Sequence, residues 1–390
     1  MGSVTGYSLL KAILILWLQT SLVFTEAANS LSKDEYFALR RHLKSLNKPA
    51  IKSIETGYGN IFDCVDINKQ PAFDHPLLKN HTIQMKPSSL PDRNDDQIFS
   101  SSVLDIGVHG EGCPDGTVPI RRVTMEDLMR APSVSEFGKK YVLNDSQVIF
   151  AGNTNGHHHW ANDQTYPGEF YGTQVTMNVW QPNVAYSNKF SLGQFWVSNG
   201  PYDQLNTIEA GWVADGYHNT GCYNLICPGF IQVSNKVPLG AYFTQVSTYG
   251  GEQHEITLLS FLDHENKVWW LSFGNELVGY WPQEIFNTLS TKAQWVHWGG
   301  EVYNPDEKIN QLKSDMPPMG SGHFAQEEYG KSSFMRALQV VTVDNVLVEA
   351  PAVTFAYADA PKCYNITDKG RLGEGWRRTF YFGGPGGNCN

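Results

Sequence analysis

The chain has 390 residues, of which 17% are charged and 13% aromatic, and its formal net charge is -10 at pH 7. This apolar content can offset the entropy lost on ordering the chain, which excludes extended disorder, and the acidic balance argues against nucleic-acid binding. The length accommodates two domains, and the 36 glycines among many Trp, Tyr and Phe residues favour an all-β class for the larger one.

The N-terminus has the pattern of a secretory signal peptide. An apolar run over residues 12–24 follows Lys11, and the small residues Ala27 and Ala28 come shortly after it. The run is too short for a comfortable membrane span, and no later segment has the length and apolarity of one. We therefore expect residues 1–28 to be cleaved and the protein to enter the secretory pathway.

The cysteines and sequons agree with that compartment. Six cysteines permit three disulfides, and chain proximity favours particular pairs, although the sequence alone leaves other connectivities open. The favoured pairs are Cys222–Cys227, Cys363–Cys389 and Cys64–Cys113. Three asparagines begin Asn-X-Ser/Thr sequons and are candidate glycosylation sites. They are Asn80, Asn144 and Asn365.

The front part of the chain predicts a small α/β module. Residues 32–47 have apolar side chains at helical spacing and begin with a capping-box pattern of Ser32 and Glu35. Residues 124–131 predict a second, shorter helix. We expect residues 29–130 to be a prodomain, followed by a polar linker at 131–147 that is accessible to processing enzymes. Two permanent domains joined by a loop are the alternative.

Residues 148–390 predict an antiparallel β-sandwich. Segments with strand-like composition are separated by Gly, Asn and Asp turns, and residues 262–267 are typical of a hairpin turn. Many strands at short intervals favour a sandwich over a parallel α/β sheet. We expect one short helix over 282–290. The expected strands are 172–182, 189–200, 205–214, 229–235, 239–251, 254–263, 267–281 (with a turn inside it), 294–304, 334–345 and 377–384.

Two of these strands carry a glutamate among apolar and small residues. Glu209 alternates with Ile208 and Ala210, so it lies on the opposite face of its strand from them. Glu301 follows two glycines, which weaken a strand and suggest that another group approaches the backbone closely. Two nearby carboxylates can perform acid–base catalysis, since one keeps a proton while the other activates water. The alternative is that both simply face solvent.

Other groups of residues give weaker evidence of a functional site. Three consecutive histidines at 157–159 cannot all face one metal from a strand, and we interpret them as part of a solvated polar loop. No HExxH motif or spaced Cys/His set indicates a metal, and no GxSxG motif before a helix indicates a serine nucleophile. We therefore predict neither a metal nor a cofactor.

Several ordered motifs resemble the neprosin family of plant secreted glutamic endopeptidases. The matches begin in the front module and continue through most of the body. They include residues 63–80, 113–122, 190–197, 205–212, 269–282, 298–304 and 319–324.

The resemblance implies a β-sandwich peptidase made as an inactive precursor, with its own prodomain as inhibitor and activation at low pH. It implies a catalytic dyad of Glu209 and Glu301, one acting as base to the attacking water and the other as proton donor. Gln194 and Asn275 lie in matching blocks, and we expect them to support a carboxylate or the oxyanion. The implied substrates are proline-containing peptides or proteins, cleaved by a monomer in the apoplast, the cell wall or a vacuole.

The chain departs from the family pattern after Trp212. There the family continues through a further strand, whereas residues 213–220 lead almost directly to the next matching block. This departure keeps an alternative open, which is a catalytically impaired or non-enzymatic member that binds cell-wall carbohydrate. Independently of this departure, a jelly-roll glycoside hydrolase is an alternative, because such enzymes also set two glutamates on a sheet beside aromatic residues. Against it, the sequence contains no E-x-[DE]-x-x-E motif.

Overall fold

The computed structural model describes residues 32–57, 59–93, 112–130, 158–184, 189–201, 204–215, 224–226, 228–304 and 315–389. The predicted signal peptide, the linker at 131–147 and the residues Asn144, Cys222 and Cys227 lie outside these ranges. Among the described residues, no helix has the length and apolarity needed to cross a membrane.

Both expected helices are present in the front part of the chain. α1 spans Lys33–Leu46 and begins at the predicted capping box, in which Glu35 N donates to Ser32 Oγ and Ser32 N donates to the Glu35 carboxylate. α2 spans Met125–Arg130. The helices meet around a small apolar cluster, whose buried members are Leu39, Val123 and Leu128.

An antiparallel sheet of three strands accompanies the helices, which confirms a small α/β region. Its strands, in spatial order, are β1 (Ala50–Glu55), β2 (Ile61–Asp66) and β4 (Thr117–Arg121). The predicted disulfide Cys64–Cys113 ties β2 to the segment before β4. Short 3₁₀ turns follow β2 at Ile67–Lys69, Pro71–Asp74 and Pro76–Leu78.

The front sheet is packed onto the body of the protein. Val65, Leu78 and Val118 belong to the same buried apolar cluster as the interior of the body. β3 (Asp92–Arg93) also joins the body, where it pairs in parallel with β15 (Val346–Glu349). The front module therefore packs directly on the body.

The described residues of the body form one large sheet of ten strands, counting β3 and β15. All its pairings except β3–β15 are antiparallel. Its other strands, in spatial order, are β17 (Asn365–Arg371), β18 (Arg378–Gly383), β14 (Ser333–Val341), β6 (Gly172–Asn178), β10 (Glu255–Asp263), β11 (Val268–Phe273), β12 (Glu276–Pro282) and β9 (Ile231–Gln232).

A small antiparallel sheet of five strands packs against the large one. Its strands, in spatial order, are β16 (Phe355–Ala358), β5 (His158–Gln164), β13 (Trp295–Tyr303), β7 (Phe190–Asn199) and β8 (Asn206–Asp215). Trp298 and Phe195 of the small sheet are buried in one core with Trp269 and Phe261 of the large sheet. The body is therefore an antiparallel β-sandwich, as predicted. The second described disulfide is the predicted Cys363–Cys389.

Three local predictions were wrong or too long. No strand forms over 239–251, where Phe243 and Val246 pack against the core from an irregular segment. The strand expected over 229–235 is reduced to β9. The helix expected over 282–290 is one 3₁₀ turn, Gln283–Ile285. The Asn206 side chain accepts hydrogen bonds from the backbone N–H groups of residues 287 and 288, in place of helical carbonyls.

Candidate active site

The outer face of the small sheet, turned away from the sandwich core, carries both candidate glutamates. In the strand ladders, Glu209 of β8 is opposite Trp196 of β7, and Trp196 is opposite His297 of β13. Glu301 lies four residues further along β13 and therefore on the same face as His297. We call this the glutamate face. Its other described members include His158, Trp160, Asn162, Phe190, Leu192, Gln194, Thr207 and Tyr303.

Glu209 is half-buried and is oriented by two neighbouring side chains. Gln194 Nε2 donates to its Oε2 at 2.9 Å, and Thr207 Oγ1 donates to its Oε1 at 2.9 Å. Gln194 was predicted to support a carboxylate, and the structure does bring it to Glu209. Thr207 was not singled out, although its spacing of two residues from Glu209 in a strand already placed both on one face.

Glu301 is buried, with 1% of its side chain exposed, and His158 Nδ1 lies 2.6 Å from its Oε1. His158 projects from β5, where it is opposite Tyr303 and diagonal to Glu301. The sequence offered no local signal for this contact, because the two residues are 143 positions apart. The pairing of β5 with β13 creates it.

The two glutamates lie diagonally across the sheet rather than side by side. With about 4.8 Å between strands and about 3.4 Å per residue, their Cα atoms would be roughly 17 Å apart in a flat ladder. Gln194 stands midway, one diagonal step from each, and diagonal neighbours are within reach of long side chains. The contact from Gln194 to Glu209 uses one of these diagonals.

The glycines on the glutamate-bearing strands are explained by close approach of the protein itself. A Cβ at Gly299 would lie 2.3 Å from the carbonyl oxygen of Ala161 on β5. A Cβ at Gly300 would lie 2.6 Å from the ring of Phe382 in the core. The sequence analysis predicted that another group approaches this backbone closely. At Gly299 that group is the neighbouring strand β5, and at Gly300 it is the core.

His297 is a buried imidazole on the glutamate face. Its side chain is 6% exposed, and among the described residues its Nε2 has no hydrogen-bond partner. Burial lowers the pKa of His297 to about 4, because the charged imidazolium would lose its hydration. The imidazole therefore stays neutral in moderately acidic solution.

The interpretation of the histidine run as a solvated loop is wrong for its described part. His158 and His159 begin strand β5 and point to opposite faces. His158 contacts Glu301, whereas His159 Nδ1 lies 2.8 Å from Oδ2 of Asp359 and is buried. Among the described residues, no group of three His, Cys, Asp or Glu side chains is arranged to hold a metal ion.

Asn275 is not brought to the glutamate face. It lies in the turn between β11 and β12 of the large sheet, whereas Gln194, Glu209 and Glu301 lie on the small sheet. Of the described sequon residues, Asn80 is exposed. Asn365 is half-buried, and its Oδ1 accepts from Ala325 N at 2.8 Å while its Nδ2 donates to Gln326 at 2.7 Å.

Two family models match the sequence. The model described as Neprosin activation peptide matches residues 53–163, and the model described as Neprosin matches residues 212–385. The chain belongs to the neprosin family. Glu301 lies inside the Neprosin match and His158 inside the activation-peptide match, whereas Gln194 and Glu209 lie in the interval between them.

The two matches indicate a proenzyme of a peptidase family, with an activation peptide in its front part. Several described contacts of the front segment are made with the large sheet and its loops. Ser88 Oγ donates to Asp263 Oδ1 at 2.6 Å, and Gln84 N donates to the Tyr280 hydroxyl at 2.8 Å. Gln70 is hydrogen-bonded to the backbone of Gln232.

Trp212, after which we predicted a departure from the family pattern, lies in β8. Among the described residues, β8 pairs with β7 alone and forms one edge of the small sheet. Of residues 213–220, over which we predicted that departure, 216–220 lie outside the described ranges. Trp212 itself is buried, and its Nε1 donates to the carbonyl of Asn178 at 2.9 Å, which anchors β8 to the large sheet.

Proposed function

We propose that the protein is a secreted, acid-active glutamic endopeptidase, directed to proline and made as a proenzyme, in which Glu209 and Glu301 activate water. The observation that carries this proposal is the arrangement of the glutamate face. Two carboxylates project from the same side of one sheet, and the amide of Gln194 stands between them.

The hydrolytic step assigns a separate role to each group. Glu209 accepts hydrogen bonds at both oxygens, so it is oriented to take a proton from a water molecule that attacks the substrate carbonyl. The carbonyl oxygen becomes an oxyanion, and the N–H of Gln194 stabilises it. When the C–N bond breaks, the leaving nitrogen takes a proton from Glu301, and the products are a carboxylic acid and an amine.

Other observations support the preference for proline, the secretion and the acid activity. Aromatic rings beside Glu301, including Trp160 and Tyr303, are suited to packing against the apolar ring of a proline. Cys64–Cys113 and Cys363–Cys389 fit a secreted protein. Acid activity and loss of the front module follow from the resemblance of the motifs to secreted precursors of the neprosin family.

The test compares Glu209→Gln and Glu301→Gln with the wild-type protein after acid treatment, using a proline-containing peptide as substrate. Each substitution keeps the shape of the side chain and removes its acid–base function. We expect kcat to fall by at least about 100-fold in both variants while the melting temperature is maintained. Glu276→Gln is a matched control, since Glu276 lies on β12 of the large sheet.

Full activity in both site variants would show that the dyad is assigned incorrectly. Polysaccharide binding without peptide cleavage at any acidic pH would instead favour the non-enzymatic alternative. Release of sugar from cell-wall polysaccharide would favour the glycoside hydrolase.

A further inference from the structure

His158 lies against the buried glutamate of the candidate active site, and the proposed reaction does not use it. We propose that His158 is a positioning residue that holds the carboxylate of Glu301 in one orientation. The main evidence is the distance of 2.6 Å between His158 Nδ1 and Glu301 Oε1. This inference rests on the proposed function, because it deepens the description of the same site.

Aromatic rings hold the imidazole of His158 in place. It stacks on Trp160 with ring centroids 5.5 Å apart and an interplanar angle of 11°. Its centroid is 4.5 Å from that of Tyr303 and 5.8 Å from that of Phe190. Since these contacts restrict the ring before it meets the carboxylate, little further side-chain entropy is lost in the hydrogen bond.

The hydrogen bond fixes the carboxylate whichever group carries the proton. A protonated Nδ1 donates to an ionised carboxylate, and a carboxylic acid donates to an unprotonated Nδ1. In both arrangements Oε1 of Glu301 is directed toward β5. The remaining oxygen, Oε2, is then set in a defined direction by the planarity of the carboxyl group.

His158 acts through Glu301 rather than by contact with the other glutamate. It projects from β5, and strands β13 and β7 separate β5 from β8, which carries Glu209. The side chain of Glu301 is 1% exposed, so water cannot easily replace the imidazole as its partner. If the carboxylate moves by about 1 Å when the imidazole is lost, the rate can fall by roughly 100-fold.

The adjacent residue provides an internal control. His159 makes the same type of contact, Nδ1 to a carboxylate oxygen of Asp359 at 2.8 Å, and it is also buried. It points to the opposite face of β5, away from Glu301. A purely structural histidine–carboxylate pair is therefore available one position away on the same strand.

The kinetic experiment uses His158→Phe, His158→Asn and His159→Phe in the full chain after acid activation. Phenylalanine keeps a ring in the aromatic stack without the nitrogen, and asparagine restores an N–H near the position of Nδ1. We expect His158→Phe to lower kcat by about 100-fold with little change in KM, and His158→Asn to recover most of this loss. His159→Phe is expected to lower the melting temperature and to keep kcat near the wild-type value.

A second measurement detects the contact without relying on activity. In protein labelled with ¹⁵N-histidine, Glu301→Gln is expected to shift the NMR signals of the His158 imidazole and to leave those of His159 in place. The positioning role is overturned if wild-type protein cleaves peptide and His158→Phe retains its kcat. If the wild-type protein cleaves no peptide, the proposed function itself fails. In that case the NMR measurement still shows whether His158 contacts Glu301.

Discussion

Gln194 donates a hydrogen bond to Glu209 from a position on β7 that has a glycine directly opposite it on each neighbouring strand. Gly299 stands opposite it on β13 and Gly211 on β8. The residues directly opposite Gln194 on the two neighbouring strands therefore have no side chains. Gln194 itself is buried, and its amide lies between the two strands that carry the glutamates.

Gln194→Ala is expected to lower kcat on the order of 100-fold, because the variant loses a donor to the oxyanion and to Glu209. Steady-state peptide hydrolysis measures this effect. Gln174→Ala is a matched control, since Gln174 is also buried and donates from Nε2 to Gln339 at 2.7 Å within the large sheet. It should lower the melting temperature but not kcat. Equal kcat values for the two variants would contradict the role of Gln194.

Gly211→Ala is expected to force β7 and β8 apart. The new Cβ would lie 2.1 Å from the carbonyl oxygen of Gly193 and 2.5 Å from Cα of Gln194, so the backbone must shift. We expect a loss of about 1–3 kcal/mol in the free energy of unfolding, measured by denaturation, together with a loss of activity. Gly375→Ala is the control, because a Cβ there meets no atom within 4 Å. Similar stability in both variants would exclude strain at Gly211.

His297→Gln is expected to make the fold less sensitive to acid. In the unfolded chain a histidine takes up its proton near pH 6.5, whereas burial lowers the pKa of His297 in the folded protein to about 4. Between these values the unfolded state binds more protons, so wild-type stability falls as the pH falls. The total loss is about 3 kcal/mol at pH 4 and below.

Denaturation curves at pH 7.5 and pH 4 for the wild-type protein and the His297→Gln variant measure this effect. The variant should lose less stability between the two pH values. An equal loss in both proteins would show that His297 does not contribute to the acid sensitivity.

Ser88→Ala is expected to weaken the docking of the front segment on the large sheet. Asp263 accepts hydrogen bonds from Ser88 N at 2.7 Å and Ser88 Oγ at 2.6 Å. Burial raises the pKa of Asp263, but the hydrogen bonds from Ser88 and Asn266 outweigh burial and hold it below its usual value. The ionised carboxylate of Asp263 therefore stabilises docking fully above about pH 4, and this stabilisation is lost as the pH falls through the lowered pKa.

The measurement is dissociation of the front segment from protein nicked in the linker, followed by size-exclusion chromatography at several pH values. At pH 6, Ser88→Ala should weaken the association by about 10-fold, as expected for one hydrogen bond to a charged group. The difference should shrink below pH 3. Ser53→Ala is the control, since Ser53 donates to Asp63 within the front sheet. A pH-independent difference would argue against titration of Asp263.

Local sequence was sufficient for the features that depend on neighbouring residues. The capping box at Ser32, the hairpin turn after β10 and the alternation of Glu209 with Ile208 are all set within a few positions. The contact between Gln194 and Glu209 also belongs to this class. The two residues are 15 positions apart in one hairpin, so the pairing of consecutive strands brings them together.

Predictions from local sequence patterns were wrong where contacts with distant parts of the chain decide the structure. The strand-like composition of residues 239–251 indicated a strand, but their apolar side chains, including Phe243 and Val246, pack against the core without joining a sheet ladder. The backbone of residues 287 and 288 bonds to the Asn206 side chain, which replaces the expected helical carbonyls. Asn275 matched a family block, yet the topology places it on the other sheet.

Composition and periodicity were thus enough to predict a β-sandwich preceded by a small α/β module, and the resemblance of the motifs to the neprosin family selected Glu209 and Glu301. They could not predict that Glu301 is buried against His158, or that Gln194 stands between the two glutamates. Those relationships depend on the antiparallel registers of β5, β13 and β7, which join segments roughly 100 positions or more apart. Such registers depend on the burial of one whole sheet face in the core, a property of the assembled sandwich and not of any local segment.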